Sequence, residues 1–224
     1  MADPRPLVSV VVAAYDCERY IAATLDSALA QDYEPLEVIV VDDGSTDATA
    51  AIVERYDVRL IGRANGGQGA AKNTGVAAAR GSLIAFLDHD DLWAPRKIAR
   101  QVEALGAAPE VAGVVARLEV LLEPGVPHPP WLPRSREYPW FPPSSWLVRR
   151  EAFDAVGAFD EQSSVPDFDW MLRARDLGHT FAIVPEVLGR YRIHGGNASY
   201  RREAVAADGF VALRRSLDRI RSGA

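Results

Sequence analysis

Leu83-Ile84-Ala85-Phe86-Leu87-Asp88-His89-Asp90-Asp91-Leu92-Trp93 changes chemistry abruptly halfway along. The apolar run Leu83 to Leu87, bounded upstream by Gly81, gives way to three carboxylates and an imidazole. A short apolar run between turn signals reads as a buried strand. Its charged end then lies at the carboxyl edge of the sheet, where open α/β sheets hold their ligands. On a continuing strand Asp88 and Asp90 would point to opposite faces. In a turn they converge, and converging carboxylates repel unless a cation or a proton separates them. Hard oxygen donors of this kind suit Mg²⁺ or Mn²⁺, above all an ion shared with phosphate oxygens. An isolated D-x-D is equally what a solvated acidic turn looks like.

Two upstream runs end in the same way. Leu7 to Ala14 (LVSVVVAA) stops at Tyr15-Asp16, and Leu36 to Val41 (LEVIVV) stops at Asp42-Asp43-Gly44-Ser45-Thr46-Asp47. Between them Ile21, Leu25, Ala28 and Leu29 recur at helical spacing, with Asp16 placed to cap the segment. Ser45 or Thr46 is the expected cap of a helix over Ala48 to Arg55. A short strand from Val58 to Ile61 and the glycine loop Asn65-Gly66-Gly67-Gln68-Gly69 lead into a helix over Ala70 to Ala79. Strands alternating with helices predict an α/β fold of βαβ units with a mostly parallel central sheet. Parallel strands bring the polar ends Tyr15-Asp16, Asp42-Asp43 and Asp88-Asp90 to one edge. That convergence favours a site over a solvated turn.

Downstream, Pro95 opens a helix with Ile98, Val102 and Leu105 on one face, and Val111 to Leu122 reads as a strand. From Glu123 to Pro143 prolines crowd around Trp131, Tyr138, Trp140 and Phe141. This stretch is either a stiffened surface loop or an aromatic wall over a site. Ser145 to Val148 resumes the sheet, and Arg150 to Val156 is a short helix. Asp167-Phe168-Asp169-Trp170 opens another, ending near Leu177. Thr180 to Val184 and Leu188 to Ile193 read as two strands, followed by the polar turn Arg192-Ile193-His194-Gly195-Gly196-Asn197. Arg201 to Arg221 is helical, and Val205, Phe210, Leu213, Leu217 and Ile220 are its expected docking face; a membrane-surface or partner contact is the alternative. The economical organisation is one domain over 1–224. It comprises one half at about 6–110, a second at about 111–200, and a C-terminal helix at 201–224.

Composition narrows the class. Hydrophobic residues make up 48% and charged residues 25%, ordinary for a globular chain. A balance of 25 basic against 31 acidic residues disfavours a nucleic-acid partner. The single cysteine, Cys17, excludes a disulfide framework and reads as packing. No apolar run is long enough for a transmembrane span. Residues 1–6 lack a signal-peptide core, which makes the cytoplasm the expected location.

The order of the motifs resembles the family 2 glycosyltransferases, inverting nucleotide-sugar enzymes of GT-A fold. The resemblance covers nearly all of residues 6–200. It is carried by Val10 to Asp16, Val40 to Asp47, Ala71-Lys72-Asn73-Thr74-Gly75, Phe86 to Trp93, and Tyr191 to Asn197. It implies a nucleobase pocket at Ala13, Ala14, Tyr15 and Asp43, with Asp16 and Glu18 at its rim. Lys72 stands where the family usually has arginine, near the nucleotide. Asp88 resembles the carboxylate beside the ribose and sugar, with His89 next to it. Asp90 resembles the ligand of a Mn²⁺ or Mg²⁺ ion bridging the diphosphate. Asp167 matches the general base, with Pro166 in place of the usual glutamate before it; Asp169 is the second candidate base or a helix cap. Arg192 and His194 match an R-x-H element that reaches the diphosphate or the metal.

By family habit the donor is a UDP-sugar. A glycan, a small molecule and a peptide stay open as acceptors, as does a homodimer through the C-terminal helix. A nucleotidyltransferase would show a basic glycine-rich loop after its first strand, where this chain has Tyr15-Asp16-Cys17-Glu18. A dehydrogenase would show G-x-G-x-x-G there. A catalytically silent nucleotide-sugar binder is the alternative of a different class.

Overall fold

Seven consecutive buried residues make β1 (Val8–Ala14) the centre of the molecule. In the computed structural model it lies between β2 (Leu36–Asp42) and β4 (Leu83–Asp88), parallel to both, with β3 (Arg59–Gly62) parallel beyond β2. The structure describes residues 5–129, 132, 137, 141–197 and 202–222, with side chains from 206 onward in the last helix. Trp131, Tyr138 and Trp140, three of the aromatics of the expected wall, lie outside the described residues. The register sets Ala13 beside Asp88 and Ala14 beside Asp42, so the three strand ends do share one edge.

Alternation along β1 divides the core between the two faces of the sheet. Val8, Val10, Val12 and Ala14 pack with α1 (Ile21–Leu29) and α4 (Lys97–Ala107). α2 (Thr49–Val53) also lies on this side, through Val53. On the other face Val11 and Ala13 meet α3 (Gln68–Ala78), and an aromatic group grows around Phe86. There Phe153 of α5 (Arg150–Val156) stacks on Trp170 of α6 (Pro166–Asp176) at 5.3 Å, and Trp170 Nε1 donates to Gly157 O. This packing fixes the start of α6, which carries Asp167.

The sheet then continues through antiparallel neighbours. β7 (Trp146–Arg149) pairs antiparallel with β4, β6 (Gly113–Leu122) with β7, and β5 (Leu92–Trp93) with β8 (Phe181–Ile193). The order is β3-β2-β1-β4-β7-β6-β8-β5, one sheet that crosses the expected division near residue 110. β8 corrects the expectation of two strands. Pro185 and Glu186 fall between the partners Val184 and Val187, so the pairing with β6 shifts and resumes. A proline has no N–H for a ladder and fits such a bulge. The uninterrupted β8 delivers His194 to the acidic turn after Asp88.

α7 (Arg202–Ser222) corrects another expectation. It packs on α6 through Ala212 and Ser216, whereas Phe210, Leu213, Leu217 and Ile220 face outward. Cys17 is buried, as its packing role requires, and burial pushes its thiol up to about 12.

Gly75 sets how closely α3 approaches β1. A Cβ on it would lie 2.3 Å from Val11 Cγ1, with a fully buried β1 behind. Gly75→Ala therefore has to push α3 off the sheet. The expected loss is about 1–3 kcal/mol in urea unfolding, against less than about 1 kcal/mol for Gly106→Ala, where a Cβ meets open space.

Candidate functional site

The floor is a clasp between the loops after β1 and β2. Asp16 N–H donates to Ser45 Oγ, and its carboxylate accepts from Thr46 N–H at 2.7 Å. Two residues on, Glu18 N–H donates to Asp47 while Glu18 accepts from Ala48 N–H. Asp16 therefore caps no part of α1, whose first turn has no side-chain cap; it closes the β2 loop and adopts a positive φ of 41°. Neither Ser45 nor Thr46 caps α2. The hydroxyl of Ser45 is engaged by Asp16.

Asp43 is buried at the centre of this floor. Its carboxylate accepts from Arg63 (2.9 Å), Gly66 N–H and Gly67 N–H (2.7 Å), so in this structure it holds the glycine loop. A nucleobase reaching Asp43 has to share it with those donors. Ala13 and Ala14 are buried beside it, and Tyr15 is 44% exposed at the rim.

The acidic turn distributes its side chains to four different neighbours. Asp91 N–H donates to Asp88 O and closes the turn. Asp88 Oδ1 lies 3.0 Å from Lys72 Nζ and accepts from Gln68 Nε2. His89 Nδ1 is 3.0 Å from Ala13 O, which makes it the protonated nitrogen. Asp90 Oδ2 lies 2.9 Å from His194 Nε2 and accepts from Asn197 Nδ2. Asp91 turns inward and accepts from Arg192 N–H.

These settings separate the carboxyl groups electrostatically. Burial opposes ionisation of Asp90, but the His194 hydrogen bond and the nearby imidazoles of His89 and His194 outweigh it and hold the carboxyl below its ordinary value. Asp91 goes the other way: burial, then the neighbouring Asp90 and Asp88 charges, raise it well above the usual carboxylate range.

His194 is held from both sides. Its Nδ1 accepts from Gly196 N–H, and its ring lies 4.6 Å from that of Tyr20. Arg192 donates from Nε to Asp90 O, stands over Tyr20 and lies 3.6 Å from Glu123. It braces the turn in this structure.

Asp167 is half-buried in the first turn of α6. Burial raises its carboxyl, Lys72 lowers it and Asp88 raises it. Lys72 thus acts on both carboxylates from a fully buried position on α3. Asp169, the second candidate base, pairs with Arg173 at 2.9 Å, and Arg173 also donates to Val156 O and Ala158 O. Its side chain makes no cap. This leaves Asp167 as the carboxylate of the two with no ion pair among the described residues.

For a metal, the donor set is short. Among the described residues no three His, Cys, Asp or Glu side chains gather as a cage. Asp90 and His194, 2.9 Å apart, are spaced as two adjacent ligands of a small divalent ion, which on bonds of about 2.1 Å stand roughly 3 Å apart. Two protein donors with the rest from phosphate and water is how Mg²⁺-type ions are held in phosphate chemistry. The residues fit such an ion once His194 presents an unprotonated Nε2, which requires Nδ1 to carry the ring proton and release Gly196 N–H.

Several site residues carry no marker in the sequence. Asn197 sits in the polar turn, yet its role depends on Asp90, over a hundred positions away. Ser144 Oγ accepts from Asp88 N–H, and Thr24 Oγ1 donates to His89 O and Asp91 O. Arg63 and Tyr20 look like ordinary surface and helix residues until the strands are assembled.

Comparison with known proteins follows the same map. The family model described as "Glycosyl transferase family 2" matches residues 9–159. An uncharacterized glycosyltransferase of Nostoc sp. is 32% identical over 219 residues, covering 85% of this chain and 66% of that protein. The Escherichia coli enzyme WfaP, a UDP-Glc:α-D-GlcNAc-diphosphoundecaprenol β-1,3-glucosyltransferase, is 44% identical over 100 residues, covering 43% of this chain and 40% of the enzyme. The mannosyltransferase PcManGT of Pyrobaculum calidifontis, solved with GDP-Man and Mn²⁺, is 25% identical with a TM-score of 0.73, covering 94% of this chain and 65% of that one. The chain therefore spans between 40% and 66% of the length of these proteins. The strand order, the carboxylate-bearing edge and these matches agree: the chain belongs to glycosyltransferase family 2 and has the GT-A fold.

Proposed function

We propose that the chain transfers a sugar from a nucleotide-diphosphate donor, a UDP-sugar, to a saccharide hydroxyl by a single displacement that inverts the anomeric centre. The observation that carries this reading is the separation of roles at one sheet edge. Asp90, kept ionised and aligned by His194 and Asn197, is suited to the diphosphate side, and Asp167, half-buried across from Lys72, is suited to the acceptor side. PcManGT, of the same fold, binds GDP-Man with Mn²⁺, and WfaP uses UDP-Glc and a lipid-linked saccharide acceptor.

Asp90 and His194 would hold a Mn²⁺ or Mg²⁺ ion, which neutralises charge on the diphosphate leaving group. Asp43 and the glycine loop receive the nucleobase, with Tyr15 at the rim. Asp88, anchored by Lys72, faces the ribose and sugar. Asp167 takes the proton of the acceptor hydroxyl as its oxygen attacks the anomeric carbon opposite the leaving phosphate. The bond to the diphosphate breaks as the new glycosidic bond forms, so no side chain is needed as a covalent nucleophile. Burial raises the carboxyl of Asp167, which makes it a stronger base than an ordinary aspartate, and the neighbouring Lys72 favours its ionised form.

Calorimetry tests the diphosphate side. UDP should bind in the presence of Mn²⁺, chelator should weaken it, and Asp90→Asn should lower the Mn²⁺-dependent affinity by about tenfold or more. If UDP binds equally well with chelator, Asp90 does not hold a shared ion. If no nucleoside diphosphate binds at all, the transferase reading fails.

Kinetics test the base. Asp167→Asn should lower turnover by about 10²- to 10⁴-fold while UDP affinity stays within about twofold. The acidic limb of the rate profile reports the Asp167 proton, and it should lie above the ordinary aspartate range. Lys72 favours the ionised form, so Lys72→Met should move that limb to higher pH; an unmoved limb would exclude the lysine from this role.

A further inference from the structure

α7 holds to α6 by its polar and small residues. Ser216 Oγ donates to Asp176, Arg219 pairs with the same carboxylate, Arg215 pairs with Asp160, and Asp208 accepts from Ser164 N–H. Ala212 and Ser216 are buried. The large apolar side chains point the other way: Phe210 is 73% exposed, Ile220 57%, Leu217 53% and Leu213 42%. Steps of three, four and three put them in one stripe along the helix. Arg214 and Arg221, one position after Leu213 and Ile220, border that stripe. Both are exposed, and among the described residues neither makes an ion pair.

We infer that this stripe is a docking surface for an anionic lipid bilayer, with α7 lying in the plane of the interface. No described helix is long and apolar enough to cross a membrane, so the contact is one of surface. An apolar stripe bordered by arginines, on a helix whose opposite face is polar, is the make-up of helices that rest at the headgroup boundary. Arginine stems lie along apolar surface while their guanidinium groups reach phosphate.

Charge selects lipid over a second copy of the chain. The spacing of the stripe would suit a two-helix seam, where residues flanking it set the pairing. Here Arg214 and Arg221 flank one side, with exposed Asp218 one step further from the stripe, and Gly209 and Ser216 flank the other. An antiparallel copy sets arginine against arginine, and a parallel copy offers no acid to either. A phosphate surface satisfies both. Ser164, held by Asp208, lies three residues before Asp167, so it is the α6-facing side of α7, opposite the stripe, that adjoins the Asp167 end of α6. This inference stands independently of the donor and acceptor proposed above.

Flotation of the full chain with vesicles tests it. The protein should float with vesicles of equal parts phosphatidylcholine and phosphatidylglycerol and remain below with phosphatidylcholine alone. Exposed positions can be changed without touching the α6 contact. The Phe210→Ser, Leu217→Ser double variant should lose binding by about tenfold or more, and Arg214→Gln by about fivefold, since a basic residue near an anionic surface contributes about that factor. Circular dichroism melting confirms that each variant is folded. Absence of flotation by the wild type, or flotation unchanged in the double variant, overturns the proposal. So does a wild-type dimer in light scattering that the double variant converts to monomer, since the stripe then belongs to a second copy.

Discussion

The ammonium of Lys72 has no access to water, and the arrangement of the site follows from that. A buried charge without a partner costs several kcal/mol, so the 3.0 Å approach to Asp88 is a condition of folding as well as a feature of the site. The contact is one of charge against charge, without the alignment of a good hydrogen bond. It exists because α3 lies unusually close to β1, and α3 lies close because residue 75 has no side chain. Once Lys72 is placed, it acts on Asp167 across the gap, and the aromatic packing of Trp170 and Phe153 keeps the first turn of α6 within range. A single buried cation thus links a strand end, a crossover helix and a helix from the far half of the chain.

The other link is β8. By running unbroken beside β6 and against β5, it brings His194 and Asn197 onto Asp90. Below the same turn Lys97 is sealed beside Trp93 with Gln101 as its partner, and burial holds its amine well below its ordinary value. Trp93 in turn donates to Ser144 O, while Ser144 accepts from Asp88 N–H. The acidic turn is therefore fixed from beneath as well as from its sides, which keeps repelling carboxylates apart.

Much of this was legible in the chain itself. β1, β2 and β4 are apolar runs, interrupted by Ser9 and Glu37, and their polar ends could be paired off without knowing the register. Asp88 and Asp90 stood out because they follow such a run, whereas Asp167 and His194 were picked out by the resemblance of their segments to the family's motifs. Sequence reasoning failed where the deciding partner is distant or where a pattern has two meanings. Asp16 looked like a local helix cap because its true partner, Thr46, is 30 residues away. Pro185 looked like a break between strands because a bulge and a loop open with the same residue. The apolar stripe of α7 was visible, but periodicity says only that a face is apolar and is silent on whether the fold covers it. Asn197 and Ser144 escaped for a plainer reason, since an amide and a hydroxyl have meaning only beside what they touch.

Most bonds that frame the site end on main-chain N–H groups. Asp16 holds Thr46, Glu18 holds Ala48, Asp43 holds Gly66 and Gly67, Asp47 holds Thr49, and Asp91 holds Arg192, each through the backbone. Every peptide carries such a donor, proline apart, but most of the receiving positions have a second duty: Gly67 has a φ of 89°, a Cβ on Gly66 would meet Arg63, Thr49 Oγ1 accepts from Cys17 N–H, and Arg192 Nε donates to Asp90 O. The frame rests on a handful of acidic side chains, and exposed Ala48 is the receiving position with the most freedom. Any residue but proline at such a position keeps its bond, whereas loss of the carboxylate at Asp16, Glu18, Asp43, Asp47 or Asp91 opens the frame.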